Sequence, residues 1–325
     1  MKKLQVLVCG AAGFIGRNMI ERLAARDDLE VSGTVFKTPP TGSLLNSDRV
    51  HLFQVDLTDP RQVDRVIRGQ EVVIQAAAVT TGSKDGVTRP YLHVTDNAVM
   101  NSHIFRACFE RKVRHLIFFS CTTMYPNHPG PVKEEDFNHE IIAPYFGAGW
   151  TKVYLEKMCE FYSRIGDTRT TAIRHSNVYG PYDKFDLERS HVFGATVTKV
   201  MTSRNGKVTV WGDGSEARDL LYVSDLVDLV ELLLSSQKER FELINVGCGR
   251  AIPIQELVSK IIEVSGRNLK VEFDRSKPTI PFSLALDTGK VFEKYGWRPR
   301  VSLEEGIRKT LDWYQGQFLS KEVSV

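Results

Sequence analysis

The sequence predicts an α/β fold, a doubly wound parallel sheet followed by a smaller, loop-rich C-terminal lobe. Three observations carry this. Short apolar runs alternate with amphipathic stretches through the first half of the 325 residues. A glycine-rich turn, Gly10-Ala11-Ala12-Gly13-Phe14-Ile15-Gly16, joins the first apolar run to the first amphipathic stretch. The alternation then breaks after Arg174, where loops rich in Pro, Gly and Asp surround short elements. Apolar strands alternating with helices imply a parallel sheet covered on both faces.

Taken in order, residues 4–9 read as the first strand and 18–24 as the body of the first helix. Glycines between them let the backbone turn tightly and approach a pyrophosphate, which then sits on the free N–H groups of the helix N-terminus. The turn has the strand before it and the helix after it that a dinucleotide site requires, so the fold is expected to be of the Rossmann type. Residues 29–35 are the second strand, 38–48 a loop, 50–56 the third strand and 61–68 a short helix. Residues 71–77 form a buried fourth strand, 95–111 a long helix, 114–120 the fifth strand, 150–165 a helix and 169–174 the sixth strand. A dinucleotide-binding domain is expected over 1–174, joined by about 218–247, where 243–247 reads as one more buried strand. Residues 175–217 and 248–325 are assigned to the smaller substrate lobe, with a short element at 207–211 and helices at 254–264 and 303–314.

Composition bounds the partners. An apolar content of 42% and a charged content of 26% belong to a water-soluble globular chain. No segment approaches the ~18 apolar residues of a membrane span. A net charge of +3 without a dense basic tract argues against nucleic acid and suits an anionic substrate. The five cysteines form no C-x-x-C pair and are read as reduced thiols, so neither a disulfide framework nor a metal site is expected. The apolar run behind Met1-Lys2-Lys3 is shorter than a signal-peptide core. The expected location is cytoplasmic.

Several positions address the dinucleotide. Asp56, with Leu57 behind it, follows the third strand, where an acid can accept a hydrogen bond from the adenine amino group. For Thr58 and Asp59 a helix N-cap is an equal reading. Ala76, Ala77 and Ala78 end the fourth strand with side chains small enough for a cofactor to lie across, although close helix packing also explains them. The second strand ends in Phe36-Lys37, with no acid to take a ribose 2′-hydroxyl. A base there accepts a 2′-phosphate, and Arg17 offers a second positive charge. NADP(H) is therefore favoured, with NAD(H) as the alternative.

Four segments together resemble the extended short-chain dehydrogenases/reductases that act on nucleotide sugars. They are the turn from Gly10 to Gly16, the stretch Phe118-Phe119-Ser120-Cys121-Thr122-Thr123-Met124-Tyr125-Pro126, the stretch Arg174-His175-Ser176-Asn177-Val178-Tyr179-Gly180-Pro181, and Arg218-Asp219-Leu220-Leu221-Tyr222-Val223-Ser224-Asp225. The resemblance runs nearly end to end. Within it, Tyr182-Asp183-Lys184-Phe185-Asp186 followed by Ser190-His191-Val192 is most similar to the GDP-fucose synthase branch, epimerase-reductases of a GDP-4-keto-6-deoxy sugar. The resemblance implies a nucleotide-diphosphate sugar as substrate and a homodimer formed through the helices at 95–111 and 150–165. It places Asn97, His175 and Val178 at the cofactor, and Asn177, Val192, Lys199, Trp211 and Arg218 at the nucleotide. For Arg218 the competing reading is a salt bridge with Asp219.

The family's Tyr-x-x-x-Lys pair moves a proton at the sugar C4 oxygen, while the lysine binds the ribose and lowers the tyrosine pKa. Lys152 fits, but the tyrosine position holds Ala148. Tyr145 lies seven residues before Lys152 and is not expected to reach the same place. Deliberate inactivation and natural loss both explain Ala148, and the otherwise furnished site favours the first. The family's catalytic Ser or Thr position holds Cys121, flanked by the hydroxyls of Ser120 and Thr122. Thr123 stands where dehydratases carry Glu and the GDP-fucose synthase branch carries Cys, which disfavours dehydration and weakens epimerisation. His191 matches the family's epimerisation acid, although a lone histidine is also a common structural residue. Two rival functions stay open: a 4-epimerase with tightly held NAD, and a catalytically silent dinucleotide-binding sensor.

Overall fold

A computed structural model describes residues 2–39, 48–80, 89–128, 130–187, 190–277, 279–280 and 282–319. Most of the loop expected at 38–48 lies outside the described residues. Seven strands form one sheet: β1 (Leu4–Cys9), β2 (Leu29–Val35), β3 (Val50–Gln54), β4 (Val72–Gln75), β5 (His115–Phe119), β6 (Arg169–His175) and, from far down the chain, Phe241–Val246. Every neighbouring pair is parallel. Side chains alternate across the sheet, so each strand feeds two cores. Val6 and Val8 of β1 face one core with Met19, Ile20 and Leu23 of α1 (Phe14–Ala24). Leu7 and Cys9 face the other with Val63 and Val66 of α2 (Pro60–Ile67) and Ile104 and Phe105 of α3 (Thr95–Glu110). α4 (Phe146–Ile165) joins the second core through Leu155 and Cys159. This is the doubly wound arrangement expected from the sequence.

The smaller lobe carries two further sheets. β7 (Asn177–Tyr179) pairs parallel with β9 (Ala217–Tyr222), and β11 (Ala251–Pro253) pairs antiparallel with β9. β8 (Lys207–Trp211) pairs with β12 (Lys270–Asp274). Helices α5 (Val192–Thr202), α7 (Ile254–Ser265) and α9 (Leu303–Tyr314) close a third core around Phe193, Val197, Leu257, Ile261 and Ile307. The chain returns to the large sheet through α6 (Val223–Ser236) and β10 (Phe241–Val246). A short helix, α8 (Gly289–Tyr295), packs Val291 into the first core.

Strand order is β10-β6-β5-β4-β1-β2-β3. The order reverses between β1 and β4, the point at which sheets of this kind place a ligand, outside the carboxyl ends of the strands. One helix boundary differs notably from expectation. α4 starts at Phe146, a turn before residue 150, although Gly147 and Gly149 lower its helix propensity. Close packing explains Gly149: a Cβ there would lie 2.9 Å from Ile141 Cδ1 and 3.3 Å from the Thr123 carbonyl oxygen.

Candidate active site

The glycine turn forms a tight cradle at this switch in strand order. Gly10 has φ +79°, and a Cβ on it would lie 2.8 Å from Ala77 Cα. A Cβ on Gly16 would overlap the Gly10 carbonyl oxygen, so the helix can sit this close only without a side chain. Gly13 is the N-cap of α1 and no side chain caps it, which leaves the positive end of the helix to an anion. Ala12, Phe14 and Ile15 line the turn half-buried, and Ala76 to Ala78 become progressively exposed as β4 ends. These residues fit a dinucleotide pyrophosphate. Leu57 is buried in the core beneath. Asp56 Oδ1 accepts hydrogen bonds from the Thr58 amide at 2.9 Å and hydroxyl at 2.7 Å, and Asp59 is the residue that caps α2.

Two residues expected at the cofactor have partners within the chain. The Arg17 side chain is buried, donates to Glu21 Oε1 at 2.7 Å and lies 4.8 Å over the Tyr182 ring. Asn97 is buried and spends its side chain on the chain itself. It accepts from Val79 N and donates to the carbonyls of Val79 and His93, so it holds the loop after β4 in place. Phe36 and Lys37 remain exposed at the end of β2, with the ammonium 5.0 Å over the ring.

Lys152 and His175 meet at the carboxyl edge of β5 and β6. Lys152 donates to the Phe119 carbonyl at 2.8 Å and lies 4.7 Å over the Phe118 ring. Burial lowers its pKa, against the pull of Cys121 and Glu156. His175 Nδ1 donates to the Ser176 carbonyl at 2.8 Å, and burial together with the Lys152 and His191 charges pushes its pKa down to about 4. His191 is solvent-exposed yet ringed by protein, the setting of a cleft. Desolvation lowers its pKa, and Lys184, His93 and Arg218 add to the effect.

The hydroxyl loop divides its residues between two tasks. Ser120, expected as one candidate catalytic hydroxyl, is buried and donates to Glu156 Oε1 at 2.5 Å. Glu156 in turn pairs with Arg174 at 2.7 Å, and Arg174 donates to Tyr125 Oη at 2.8 Å. Tyr125 donates to Asn245 Oδ1 at 2.7 Å. This network ties the end of β5, α4, β6 and β10 together and occupies the Ser120 hydroxyl. Cys121, Thr122 and Thr123 are only half-buried, with Cys121 Sγ 2.9 Å from Thr123 Oγ1. Ala148 is half-buried on the first turn of α4. Tyr145 stands at the N-cap of that helix, with its ring 5.8 Å from Phe282 and near Arg218 and Cys121.

On the substrate side, Arg218 Nη1 donates to the carbonyls of Ala217, at 3.0 Å, and Phe282. It does not pair with Asp219, which is buried and accepts the amides of Cys248, Gly249 and Leu286. Asn177 and Val178 lie on β7, half-buried, and Val192 opens α5 directly behind His191. Lys199 and Trp211 form a pair of their own. Lys199 donates to the Thr209 carbonyl at 2.8 Å and its ammonium lies 5.8 Å from the Trp211 ring. Sequence reasoning missed Lys184, which donates to the Thr80 carbonyl at 2.9 Å and hydroxyl at 3.0 Å and so bridges the two lobes. Among the described residues, no His, Cys, Asp or Glu cluster is arranged to hold a metal. No helix among them is long and apolar enough to cross a membrane.

The model of the NAD dependent epimerase/dehydratase family matches residues 6–247. A GDP-L-fucose synthase of Sinorhizobium fredii is 30% identical over 95% of this chain and 94% of that protein. A GDP-L-colitose synthase of Yersinia pseudotuberculosis is 27% identical over 96% of this chain and 98% of that protein. Among solved structures, the UDP-glucose 4-epimerase of Thermus thermophilus in complex with NAD superposes with a TM-score of 0.83. It is 28% identical and covers 97% of this chain and 100% of that one.

Proposed function

The chain belongs to the NAD dependent epimerase/dehydratase family, and on that premise we propose that it is an NADP(H)-dependent nucleotide-sugar oxidoreductase. Its proposed reaction is reduction of the C4 ketone of a GDP-linked 4-keto-6-deoxy sugar, with or without epimerisation at the neighbouring carbon. One observation carries this reading: Lys152, Cys121, His175 and His191 gather at the same edge of the sheet as the dinucleotide cradle, with Arg218 facing them from the smaller lobe. The relatives named as GDP-L-colitose and GDP-L-fucose synthases support GDP as the nucleotide.

When bound, the dinucleotide supplies or accepts the hydride. Lys152 holds the ribose, and its charge favours ionisation of a neighbouring hydroxyl. Cys121 and Thr123 pair with each other beside the sugar. Arg218 turns its remaining N–H groups to the diphosphate, a geometry its planar fork suits. A ketone acidifies the C–H bonds next to it, and His191, held neutral near pH 7 by its lowered pKa, accepts and returns that proton. Ala148 moves no proton, so turnover is slow for this class. That residue also sustains a second reading, a silent dinucleotide-binding sensor. The NAD complex of the related 4-epimerase sustains a third, a 4-epimerase with tightly held NAD.

The protein is proposed to act as a cytoplasmic homodimer. The exposed Val99 on α3 and Tyr154, Phe161 and Ile165 on α4 form the apolar face such a pairing needs. Mass spectrometry of small molecules copurifying with the protein tests the function. A nucleotide sugar beside the dinucleotide supports the oxidoreductase, and repeated recovery of dinucleotide alone favours the sensor.

A further inference from the structure

Ala148 and Tyr145 stand four and seven positions before Lys152. With about 3.6 residues per turn, the fourth and seventh positions back lie on one helix face, a turn apart, roughly 4.5 Å along the axis. α4 begins at Phe146, and Tyr145 is its N-cap residue at the end of the single 3-10 turn Ala143–Tyr145. Phe146, Gly147 and Ala148 thus separate the pair Pro144-Tyr145 from Gly149-Trp150-Thr151-Lys152 by nearly one whole turn. Such an interval carries the phenol along the face instead of round to the opposite side.

The surroundings of Tyr145 are those of the site. Its half-buried ring packs edge-on against Phe282 at 5.8 Å, in the apolar cluster that also contains Cys121. Phe282 offers its carbonyl to Arg218, which brings the guanidinium to the same place. Among the described residues no group exchanges a hydrogen bond with the Tyr145 hydroxyl, although Cys121 beside it has Thr123 as a partner. A half-buried phenol near a fixed cation, with no protein group on its hydroxyl, is open to a ligand oxygen.

We propose that Tyr145 is the proton-transfer phenol of this site, displaced one helical turn from the position of Ala148, and that it acts on a substrate oxygen held among Cys121, Thr123 and Arg218. This rests on the oxidoreductase reading. In the reducing direction the Tyr145 O–H bond breaks and its proton goes to the carbonyl oxygen as the carbon takes up hydride from the reduced nicotinamide. The C=O π pair becomes the new O–H bond. The phenolate left behind is compensated by the Arg218 guanidinium until solvent returns a proton. The displacement makes the transfer less efficient than one from a phenol in register with Lys152.

A double-mutant cycle tests this. Oxidation of NADPH is followed with GDP-, dTDP-, UDP- and CDP-linked 4-keto sugars in the native chain, Tyr145→Phe, Ala148→Tyr and the double variant. Phenylalanine keeps the ring against Phe282, and dinucleotide affinity by fluorescence titration, expected equal in all four, reports intact folding. Tyr145→Phe is expected to lower native kcat at least about tenfold and to abolish the basic limb of its pH profile. The same change in the Ala148→Tyr background is expected to cost less than about threefold, since a phenol in register then does the work. Three results overturn the inference: no native turnover with any sugar, native turnover indifferent to Tyr145→Phe, or the same loss in both backgrounds. None of these touches the oxidoreductase reading if Ala148→Tyr turns over a keto sugar. That reading fails separately if calorimetry finds no nucleotide sugar bound by any of the four.

Discussion

Replacing Lys37 with Asp is expected to shift cofactor preference by a definite amount. Lys37 is exposed at the end of β2 with its ammonium over Phe36, where a ribose 2′-phosphate is expected. Arg17 is expected to add no second contact, because its buried guanidinium engages Glu21 and Tyr182. One charge-assisted contact in a solvent-exposed setting is worth about 1–2 kcal/mol, or roughly 5- to 30-fold in affinity. Lys37→Asp should therefore weaken NADPH by that factor and leave NADH within about twofold. Since the contact is exposed, raising the salt concentration well above 0.1 M should erase much of the native preference. Arg17→Met should lower stability through its lost packing and leave the NADPH/NADH ratio unchanged. Fluorescence titration of both reduced cofactors against the three chains reads all of this. Tighter binding of NADH than NADPH by the native chain, or a ratio that Lys37→Asp does not move, refutes the reasoning.

Three other perturbations have clear expected outcomes. Gly10→Ala places a Cβ 2.8 Å from Ala77 Cα on a backbone with φ +79°, a conformation costing an alanine roughly 1–2 kcal/mol before the overlap is counted. Thermal melts should show a lower Tm and the loss of at least about tenfold in dinucleotide stabilisation; an unchanged dinucleotide shift contradicts the cradle. His191→Asn in the Ala148→Tyr background should end deuterium exchange from solvent into the keto sugar and spare C4 reduction, whereas unchanged exchange assigns His191 to structure. With His191 present, exchange should fall off only below its ordinary pKa of 6.5, because the lowered value keeps the base unprotonated through neutrality. Asp183 is raised from 3.8 to about 7 by burial, and its Oδ2 has no partner among the described residues. The folded state then holds the extra proton between those values, so its contribution to stability declines as pH rises through that window, by at most about 4 kcal/mol. Asp183→Asn keeps an acceptor for the Lys184 amide and should raise Tm at pH 8 more than at pH 5; an equal shift at both removes Asp183 as the cause.

Local pattern was enough to read most of the large sheet. Val6 and Val8 alternate with Leu7 and Cys9 because both faces of β1 are covered, and an uninterrupted apolar run is how such a strand appears in sequence. The end of α9 at Tyr314 and the span of β8 coincide with their expected ranges. Features that depend on distant partners were not legible. Ser120 looks like a catalytic hydroxyl until Glu156, on α4, is seen to accept its hydrogen bond. Arg17 looks available until Tyr182, far along the chain, is seen beneath it. Asn97 looks like a ligand for the cofactor until Val79 is seen to use its amide. The i, i+7 relation of Tyr145 to Lys152 is legible in sequence, whereas the packing of its ring on Phe282 is not.

The central claim is that this site is built for proton and hydride transfer at a nucleotide-sugar ketone and lacks a phenol in register with Lys152. Ala148→Tyr tests it most directly. General acid catalysis contributes typically 10²–10⁴-fold. The tyrosine variant is therefore predicted to oxidise NADPH at least about 100-fold faster than the native chain with one of the GDP-, dTDP-, UDP- or CDP-linked 4-keto sugars, at little change in dinucleotide affinity. No gain with any of the four, in a variant that still binds dinucleotide as the native chain does, contradicts the claim and leaves the dinucleotide-binding sensor as the better account.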